Sequence, residues 1–394
     1  GRAEGFEAWD DVVATQPNSP VSDEQGGSFM LYSSGTTGRP RGIVPYIEDR
    51  PPDAPAPFVA LMTGLYGFTP ASVYLSPAPL YHAAPLGWVQ GTQRIGATAV
   101  IMERFDPEGF LAAIERFGVT HTQVVPTMLI RLLRLPASVR DRYDISTLQC
   151  LVHAAAPCPV AVKEQAIDWL GPIVNEFYSS SEGLGFTAID SQDWLTHEGS
   201  VGRPLFAAIR ILGPEGQELP SGTPGMIWFE EGGHFRYHND PEKTAEAIDA
   251  KGRASVGDIG YVDDEGFLYL TDRSSNLIVC GGVNVYPQEA ENLLASHPDV
   301  EDVAVFGVPD PDLGEVVKAV VQPIDPDAAG PELADRLIAH CRDHLATIKC
   351  PRSVDFDAAL PRLANGKLLK REVRSRYWDG ADSVVSAQVG GRTT

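Results

Sequence analysis

The chain reads as an α/β protein: a large N-terminal α/β region with a β-rich distal part, followed by a small α+β C-terminal unit. Three observations predict this. From the Pro-rich stretch at 51–57 to about Ala188, apolar strand-like runs alternate with amphipathic helical ones, the pattern of a layered sheet. Beyond Gly199 the texture changes to short apolar segments set off by turns. A second boundary near Asp272 to Asn276 precedes a strand–helix–strand–strand–helix order that stands apart from what comes before it.

Taken in order, PPDAPAP (51–57) is a loop or linker. Asp106-Pro107-Glu108 opens a helix as cap, first-turn proline and first-turn acid. Phe110, Leu111, Ile114 and Phe117 give that helix an apolar face, and Gly118 ends it. VTHTQVV (Val119 to Val125) is a buried strand ahead of Pro126. The distal part contributes IRILGPEGQELP, GMIWFEE and GYVDDEGFLYLTD, and Asp-Asp-Glu-Gly between two alternating runs signals a hairpin. After the second boundary come a strand (Leu277 to Cys280), a helix opening at Pro287, the strands VEDVAVFGV and EVVKAVVQPI, and a helix from Pro331. That last helix places Leu333, Leu337, Cys341 and Leu345 on one stripe. There is no internal repeat.

Composition narrows the function. At 394 residues the chain exceeds one ordinary core, so two or more domains are expected, and 43% hydrophobic with 21% charged residues is ordinary globular usage. The formal net charge of −22 argues against nucleic acid and anionic membranes as partners, and requires any site for an anionic ligand to be locally basic. No apolar stretch approaches a membrane span, and the opening GRAEGFEAWDD has no signal-peptide character. The first residue is Gly rather than Met, which leaves the start of the chain open. Cys150, Cys158, Cys280, Cys341 and Cys350 are odd in number and form no CxxC pair, which fits a reducing cytoplasmic setting and offers no disulfide framework or metal site.

The stretch FMLYSSGTTGRPRG (29–42) carries the most functional information. Ser33, Ser34, Gly35, Thr36, Thr37 and Gly38 have no large side chain and cannot pack a core, but they expose backbone N–H groups and hydroxyls, and glycine lets the backbone approach a ligand closely. Arg39 and Arg41 add planar guanidinium forks suited to phosphate oxygens. The physical reading is a loop that wraps polyphosphate, without the spacing and closing Lys-Ser/Thr of GxxxxGK[ST]. Alone, such a stretch is more often a plain surface loop, so its meaning depends on the rest of the chain.

Further along stand HAAAP (153–157), YSSSEG (178–183), SVGDIGY with TDR (255–261 and 271–273), CGGVNVYPQEAE (280–291) and PRLANGK (361–367). With the 33–42 loop, this ordered set resembles the adenylate-forming superfamily, which includes acyl-CoA synthetases, luciferases and the adenylation domains of peptide synthetases. The likeness runs from about Gly27 to Trp378, and CGGVNVYPQEAE and KCPRSVDF are most similar to bacterial fatty-acyl-CoA synthetases. The resemblance implies ligation of a small-molecule carboxylic acid to CoA through an acyl-adenylate, with ATP, Mg²⁺ and coenzyme A. A carboxylate does not react with a thiol, so AMP is first transferred to it and the thiolate then displaces AMP. Both steps spread negative charge, which calls for cations and aimed N–H groups.

By that resemblance Thr36, Thr37 and the neighbouring amides hold the ATP phosphates, Tyr178 and the backbone of Ala155, Ala156 and Pro157 flank the adenine, and Asp258 takes the ribose hydroxyls. Arg273, fifteen residues after Asp258, belongs to the same set. Glu182 resembles the Mg²⁺ ligand, assisted by Thr36; Mg²⁺ prefers few carboxylates plus phosphate oxygens. Lys367 resembles the mobile lysine that bridges carboxylate and α-phosphate. Ser275 aligns with the hinge about which the small domain turns between half-reactions, giving expected boundaries of 1–272, 273–276 and 277–394. Cys280, Gly281 and Gly282 would line the CoA tunnel, where missing side chains let the pantetheine arm pass. For the acyl pocket the candidates are LYHAAPLGW (80–88), with His82 and Trp88, and GLGF (183–186), with Gly183, Leu184 and Gly185. No acid there could grip an α-amino group, so the pocket reads as apolar and suits fatty-acid or secondary metabolism.

The pattern departs from the family in three places. Arg41 replaces the usual closing Lys. YSSSEG replaces YGxTEG or YSGTEG, so that side chains at Ser179 or Ser180 could crowd the phosphates and Ser181 stands for Thr. Only some thirty residues precede the phosphate loop, so the N-terminal portion of the large domain is expected to be missing. The first two departures raise a thioesterification-only ligase fed acyl-AMP by an adenylating partner enzyme. An acyl-AMP ligase loading a carrier protein, a non-catalytic nucleotide-binding relative and a homodimer also stay open.

Overall fold

A computed structural model describes residue 2 and residues 4–33, 41–47, 49–54, 56–231, 235–362 and 368–378, the Ser33 side chain excepted. The large domain is laid out on strands β1 (Leu31–Ser33), β2 (Arg41–Pro45), β3 (Val73–Ser76), β4 (Thr98–Ile101), β5 (His121–Val124), β6 (Cys150–His153), β7 (Val174–Ser179), β8 (Phe186–Ile189), β9 (Arg203–Pro204), β10 (Ile209–Leu212), β11 (Gly225–Phe229), β12 (Phe235–Tyr237), β13 (Asp258–Val262) and β14 (Leu268–Arg273). β3 to β9 form one sheet in the order β4-β3-β5-β6-β7-β8-β9, parallel through β7 and antiparallel beyond it. β1-β2-β12 and β10-β11-β13-β14 are separate antiparallel sheets. The α/β class, the β-rich distal part and the distinct C-terminal domain are therefore those predicted.

Helices cover both faces of the seven-stranded sheet, as a parallel sheet requires. Successive residues of a strand point to opposite sides, so Leu75, Val124, Leu151, Val174 and Ile189 pack with helices Pro107–Phe117, Pro126–Leu133 and Val160–Leu170. Tyr74, Cys150, Val152, Phe177 and Phe186 face the other way, onto helices Pro57–Tyr66 and Ala83–Ile95. The helix opened by Asp106 spans Pro107–Phe117: the Asp106 carboxylate accepts from the Gly109 N–H at 2.7 Å, and Gly118 closes it at φ 60°. The Asp263–Gly266 hairpin likewise forms, with Asp263 Oδ1 accepting from the Glu265 and Phe267 N–H groups.

In the large domain two expectations shift by a residue or two. Pro57 takes the first helical position of Pro57–Tyr66 instead of extending the loop, because its fixed φ and missing N–H suit a helix start. The strand expected over Val119 to Val125 has its ladder at His121–Val124, since the Val119 N–H closes the preceding helix on the Ile114 carbonyl.

The C-terminal domain carries β15 (Ile278–Cys280), β16 (Val283–Val285), β17 (Val300–Asp310), β18 (Gly314–Pro323) and β19 (Ser353–Phe356), ordered β16-β15-β18-β17 with β19 parallel to β18. Helices Pro287–Ala295 and Pro331–His344 cover it, and Leu333, Leu337 and Cys341 are buried as the stripe predicts. Leu345 leaves the helix in extended backbone and packs, partly buried, on the same core. The connection is the short 3₁₀ turn Ser274–Asn276. Across it, the Asp272 carboxylate accepts from Asn276 Nδ2 at 2.9 Å and from the Gln288 N–H at 3.1 Å, in the first turn of helix Pro287–Ala295. Arg134 reaches over from the large domain, donating to the Val300 carbonyl at 2.7 Å and pairing with Glu301. All five cysteines are unpaired, and no helix among the described residues is long and apolar enough to cross a membrane.

Candidate active site

A cleft of about 2600 Å³ opens at the C-terminal ends of the parallel strands and is lined from both domains. Open α/β sheets bind ligands at this end. Among the described residues, ten Lys/Arg and eight Asp/Glu line it, in a chain with 31 against 53. The locally basic surface that an anionic ligand needs in so acidic a protein is therefore present.

On one wall, β7 and β13 bring Tyr178 and Asp258 together. The Tyr178 hydroxyl donates to Asp258 Oδ2 at 2.6 Å, and Arg273 Nε, at the end of β14, donates to Asp258 Oδ1 at 3.0 Å. Burial, reinforced by the Asp258 carboxylate, holds the Tyr178 hydroxyl protonated far above its usual range. A carboxylate has about four lone-pair sites, so Asp258 keeps accepting capacity after these two bonds. One side of the Tyr178 ring lies near Phe229, with centroids 6.3 Å apart and planes 29° off parallel.

Below Tyr178, Glu182 Oε1 accepts from the Tyr237 hydroxyl at 2.9 Å, and the Arg41 guanidinium lies 5.6 Å over the Tyr237 ring. The antiparallel pairing of β2 with β12 makes this contact, setting Ile43 opposite Tyr237. Burial and then Glu182 push the Tyr237 hydroxyl well above its ordinary value. Ser179 Oγ donates to the Gly185 carbonyl at 2.7 Å, so its hydroxyl is turned to the β8 side. Ser180 Oγ is buried and Ser181 is exposed, both on the cleft. Ala155, Ala156 and Pro157 form an exposed loop after β6 that also lines the cleft, with Ala155 at φ 76°, a left-handed conformation unusual for a side chain bearing Cβ.

Other predicted residues fall elsewhere. Ser34, Gly35, Thr36, Thr37, Gly38 and Lys367 lie outside the described residues, and Ser33 ends β1 opposite Arg41. Leu368 to Glu372, directly after Lys367, line the cleft from the small domain. Cys280, Gly281 and Gly282 are not among the described residues that line it. Gly281 and Gly282 join β15 to β16 at φ 56° and 80°, the two positive values that a two-residue type I′ hairpin demands. Ser275 is exposed in the connecting turn. His82 precedes helix Ala83–Ile95 and lines the cleft with Trp88. Leu184 is buried in the distal core with Ile43, Val201 and Phe229, and a Cβ on Gly185 would meet the Phe229 ring at 2.3 Å. Neither these two nor Gly183 lines the cleft.

The sequence reading missed Tyr237, Gln123 and a buried ion pair close to the loop that follows β6. Lys163 Nζ and Glu176 Oε2 are 2.6 Å apart, His153 Nε2 is 3.5 Å from the same oxygen, and Lys163 stands 4.8 Å over the Trp194 ring. Burial lowers the Lys163 pKa and raises that of Glu176, each opposed by the partner, while burial holds His153 neutral. Glu176 within the strand VNEFY, on the same face as Val174, was the one available signal.

An open α/β sheet with a cation-rich cleft, a Tyr–Asp–Arg set on its wall and a small α+β domain across its mouth defines an enzyme that handles adenylates. The AMP-binding enzyme family model matches residues 2–236 and the AMP-binding enzyme C-terminal domain model matches 289–367, so the chain belongs to the AMP-binding enzyme family. It is similar to a feruloyl-CoA synthase of Amycolatopsis sp, 36% identical over 353 residues that make up 89% of this chain and 70% of the relative. Among solved structures it is similar to the amide bond synthetase of Marinactinospora thermotolerans (TM-score 0.75, 33% identity, 88% of this chain and 69% of that one). It is also similar to the o-succinylbenzoate CoA synthetase of Bacillus subtilis in complex with its acyl-adenylate (TM-score 0.73, 30% identity, 88% and 68%), a protein also solved with ATP and magnesium.

Proposed function

We propose that this protein is an AMP-forming acid–thiol ligase that joins an apolar carboxylic acid to coenzyme A through an acyl-adenylate. The observation that carries the reading is the Tyr178–Asp258–Arg273 set on a cation-rich cleft, in a member of a family whose similar relatives carry the names of CoA ligases. In this reading the free face of Tyr178 takes the adenine beside Ala155 to Pro157, and Asp258 accepts from the ribose hydroxyls with its remaining lone pairs. Thr36, Thr37, their neighbouring amides and Arg41 hold the phosphates. Glu182, one oxygen fixed by Tyr237, offers the hard carboxylate that suits Mg²⁺ alongside Thr36 and phosphate oxygens. Bound there, Mg²⁺ supplies charge neutralisation of the phosphates.

Lys367 bridges the acid and the α-phosphate during adenylation, and the cleft-facing position of Leu368 to Glu372 supports that placement. Cys280 to Gly282 serve the CoA step after the small domain (277–394) turns about residues 273–276 against the large domain (1–272). Their position off the cleft fits a state that precedes the turn. The unpaired cysteines support a cytoplasmic protein.

The test is Lys367→Ala. Release of pyrophosphate should be abolished while thioester formation from synthetic acyl-AMP and CoA stays within a few-fold of wild type. Equal loss of both half-reactions contradicts the two-state assignment. The likeness to an amide bond synthetase favours a second reading, in which an amine receives the acyl group. Mass spectrometry of products formed with CoA, with a carrier-protein thiol and with an amine separates these readings. Transfer from acyl-AMP without ATP–pyrophosphate exchange assigns adenylation to a partner enzyme.

A further inference from the structure

Tyr237 belongs to the core by its ring and to the cleft by its hydroxyl. It is 7% exposed and shares the distal core with Ile43, Leu184 and Phe229. Its backbone is fixed on both sides: β12 pairs it with Ile43 of β2, and its N–H donates to Thr244 Oγ1 at 2.9 Å. Phe235 meets the ring edge-on, with centroids 5.2 Å apart, and the Arg41 guanidinium lies 5.6 Å over it. A hydroxyl on so confined a ring has one position, and there it donates to Glu182 Oε1 at 2.9 Å. Tyr237, Glu182 and Arg41 all line the cleft.

Among the described residues this is the one hydrogen bond on the Glu182 carboxylate, so Oε2 is left to a ligand. A carboxylate can present one oxygen to a cation or both. Mg²⁺ takes near-octahedral ligand sets at about 2.0–2.1 Å, and the two oxygens of one carboxylate stand too close together to fill neighbouring corners. Ca²⁺ takes roughly six to eight ligands at about 2.3–2.6 Å and accepts a carboxylate through both oxygens. A hydroxyl fixed on Oε1 opposes the second arrangement and leaves the first intact. We propose that Tyr237 is a positioning residue that confines Glu182 to ligation through one oxygen and thereby selects Mg²⁺ over Ca²⁺ for the ATP-bound cleft. This rests on the ligase reading above, in which Glu182 takes the metal, and names what sets the choice of metal there. A ring that served the core alone would need no hydroxyl, as Phe229 and Phe235 need none in the same cluster.

The experiment uses the full chain and calorimetric binding of Mg·ATP and Ca·ATP, with AMP in the absence of metal as the control. Wild type should bind Mg·ATP at least about tenfold more tightly than Ca·ATP, which is what one hydrogen bond to a charged group is worth. In Tyr237→Phe, which keeps the ring and loses the hydroxyl, that ratio should fall toward one while AMP affinity stays unmoved. A merely structural role would instead lower Tm and weaken AMP and both metal complexes alike. Glu182→Asp withdraws the carboxylate from the hydroxyl without touching the core, so it should lower the ratio in the same direction, and it decides the matter if Tyr237→Phe does not fold. A wild-type ratio below about threefold, or an unchanged ratio in a variant that still binds AMP, overturns the selection by Tyr237 and leaves the ligase reading standing. Failure of the wild-type chain to bind either nucleotide overturns that reading, and this proposal with it.

Discussion

The two faces of the seven-stranded sheet are made from alternate residues of the same strands, yet they have been put to different uses. One face is mostly aliphatic: Leu75, Val124, Leu151 and Val174 meet Leu111, Ile114, Leu129 and Ile167 from three helices, and its buried charges, Lys163 and Glu176, are paired. The other is aromatic: Tyr66, Phe68, Tyr74, Trp88, Phe177 and Phe186 pack with ring centroids about 5–6 Å apart, and it holds Trp88 Nε1 and Gln123 Oε1 unmatched on the cleft. A face that only holds the sheet together can be closed over with Leu and Val. A face that must admit a ligand keeps rigid rings and a few polar atoms in reserve.

This contrast can be broken by removing parts of each face. The largest effect is expected on the aliphatic side, from Lys163→Met. It strands Glu176 buried without its cation, which should cost about 3–5 kcal/mol in denaturant melts near neutral pH. Burial already raises the Glu176 pKa, so its charged form is the disfavoured one in the folded state. The deficit of the variant is therefore present above the ordinary carboxylate pKa of 4.5 and should shrink as pH falls toward it, where the acid is neutral folded or unfolded. A deficit that grows on acidification would contradict the assignment. Leu111→Ala, on the same face, should cost about 3 kcal/mol in melts and leave kcat/KM for acyl-CoA formation within a few-fold of wild type. A larger change in kcat/KM would mean that the aliphatic face also shapes the pocket.

On the aromatic face His121 Nε2 donates to the Tyr66 carbonyl at 2.9 Å, its Nδ1 lies 2.7 Å from Thr120 Oγ1, and burial lowers its pKa below 6.5. A depressed folded-state pKa stabilises above 6.5, and that stability is lost as pH falls below it, because the unfolded chain takes up the proton first. His121→Asn should flatten this slope in Tm measured from pH 7 to pH 5; an unchanged slope assigns the acid sensitivity to other groups. The smallest effect is expected from Ser180→Gly/Ser181→Thr. Ser179 turns its hydroxyl to Gly185, which leaves Ser180 as the residue to test for crowding of the phosphates in the proposed reading, and ATP–pyrophosphate exchange should rise by less than about tenfold. A larger gain would make the serine run the main brake on adenylation.

The parts legible in the sequence were those whose cause is local. Asp106 and Gly118 announce their helix because a cap and a left-handed residue act within one turn, and Asp263 to Gly266 announce a hairpin for the same reason. Asp258 and Arg273 were legible through the spacing of a motif, and the structure joins them. The chain Arg41–Tyr237–Glu182 was not, since its members are brought together only by pairing two strands almost two hundred residues apart. Lys163–Glu176 was hidden for a related reason: a lysine on an amphipathic helix looks solvated until the sheet beneath it is known. Leu184 shows the reverse. It sits in a motif attached to the site, yet its side chain serves the core with Val201 and Phe229.

Ala155 has a consequence for how the molecule comes apart. Holding an alanine at φ 76° costs about 1–2 kcal/mol, and nothing in its own sequence favours that shape, so the loop keeps it only while β6 and the buried groups beneath it stay in place. Warming or denaturant should therefore release the segment around Ala155 well before the parallel strands separate. Amide exchange there would run ahead of the sheet, and on the proposed reading of this loop nucleotide affinity would fade in a protein whose circular dichroism still looks native.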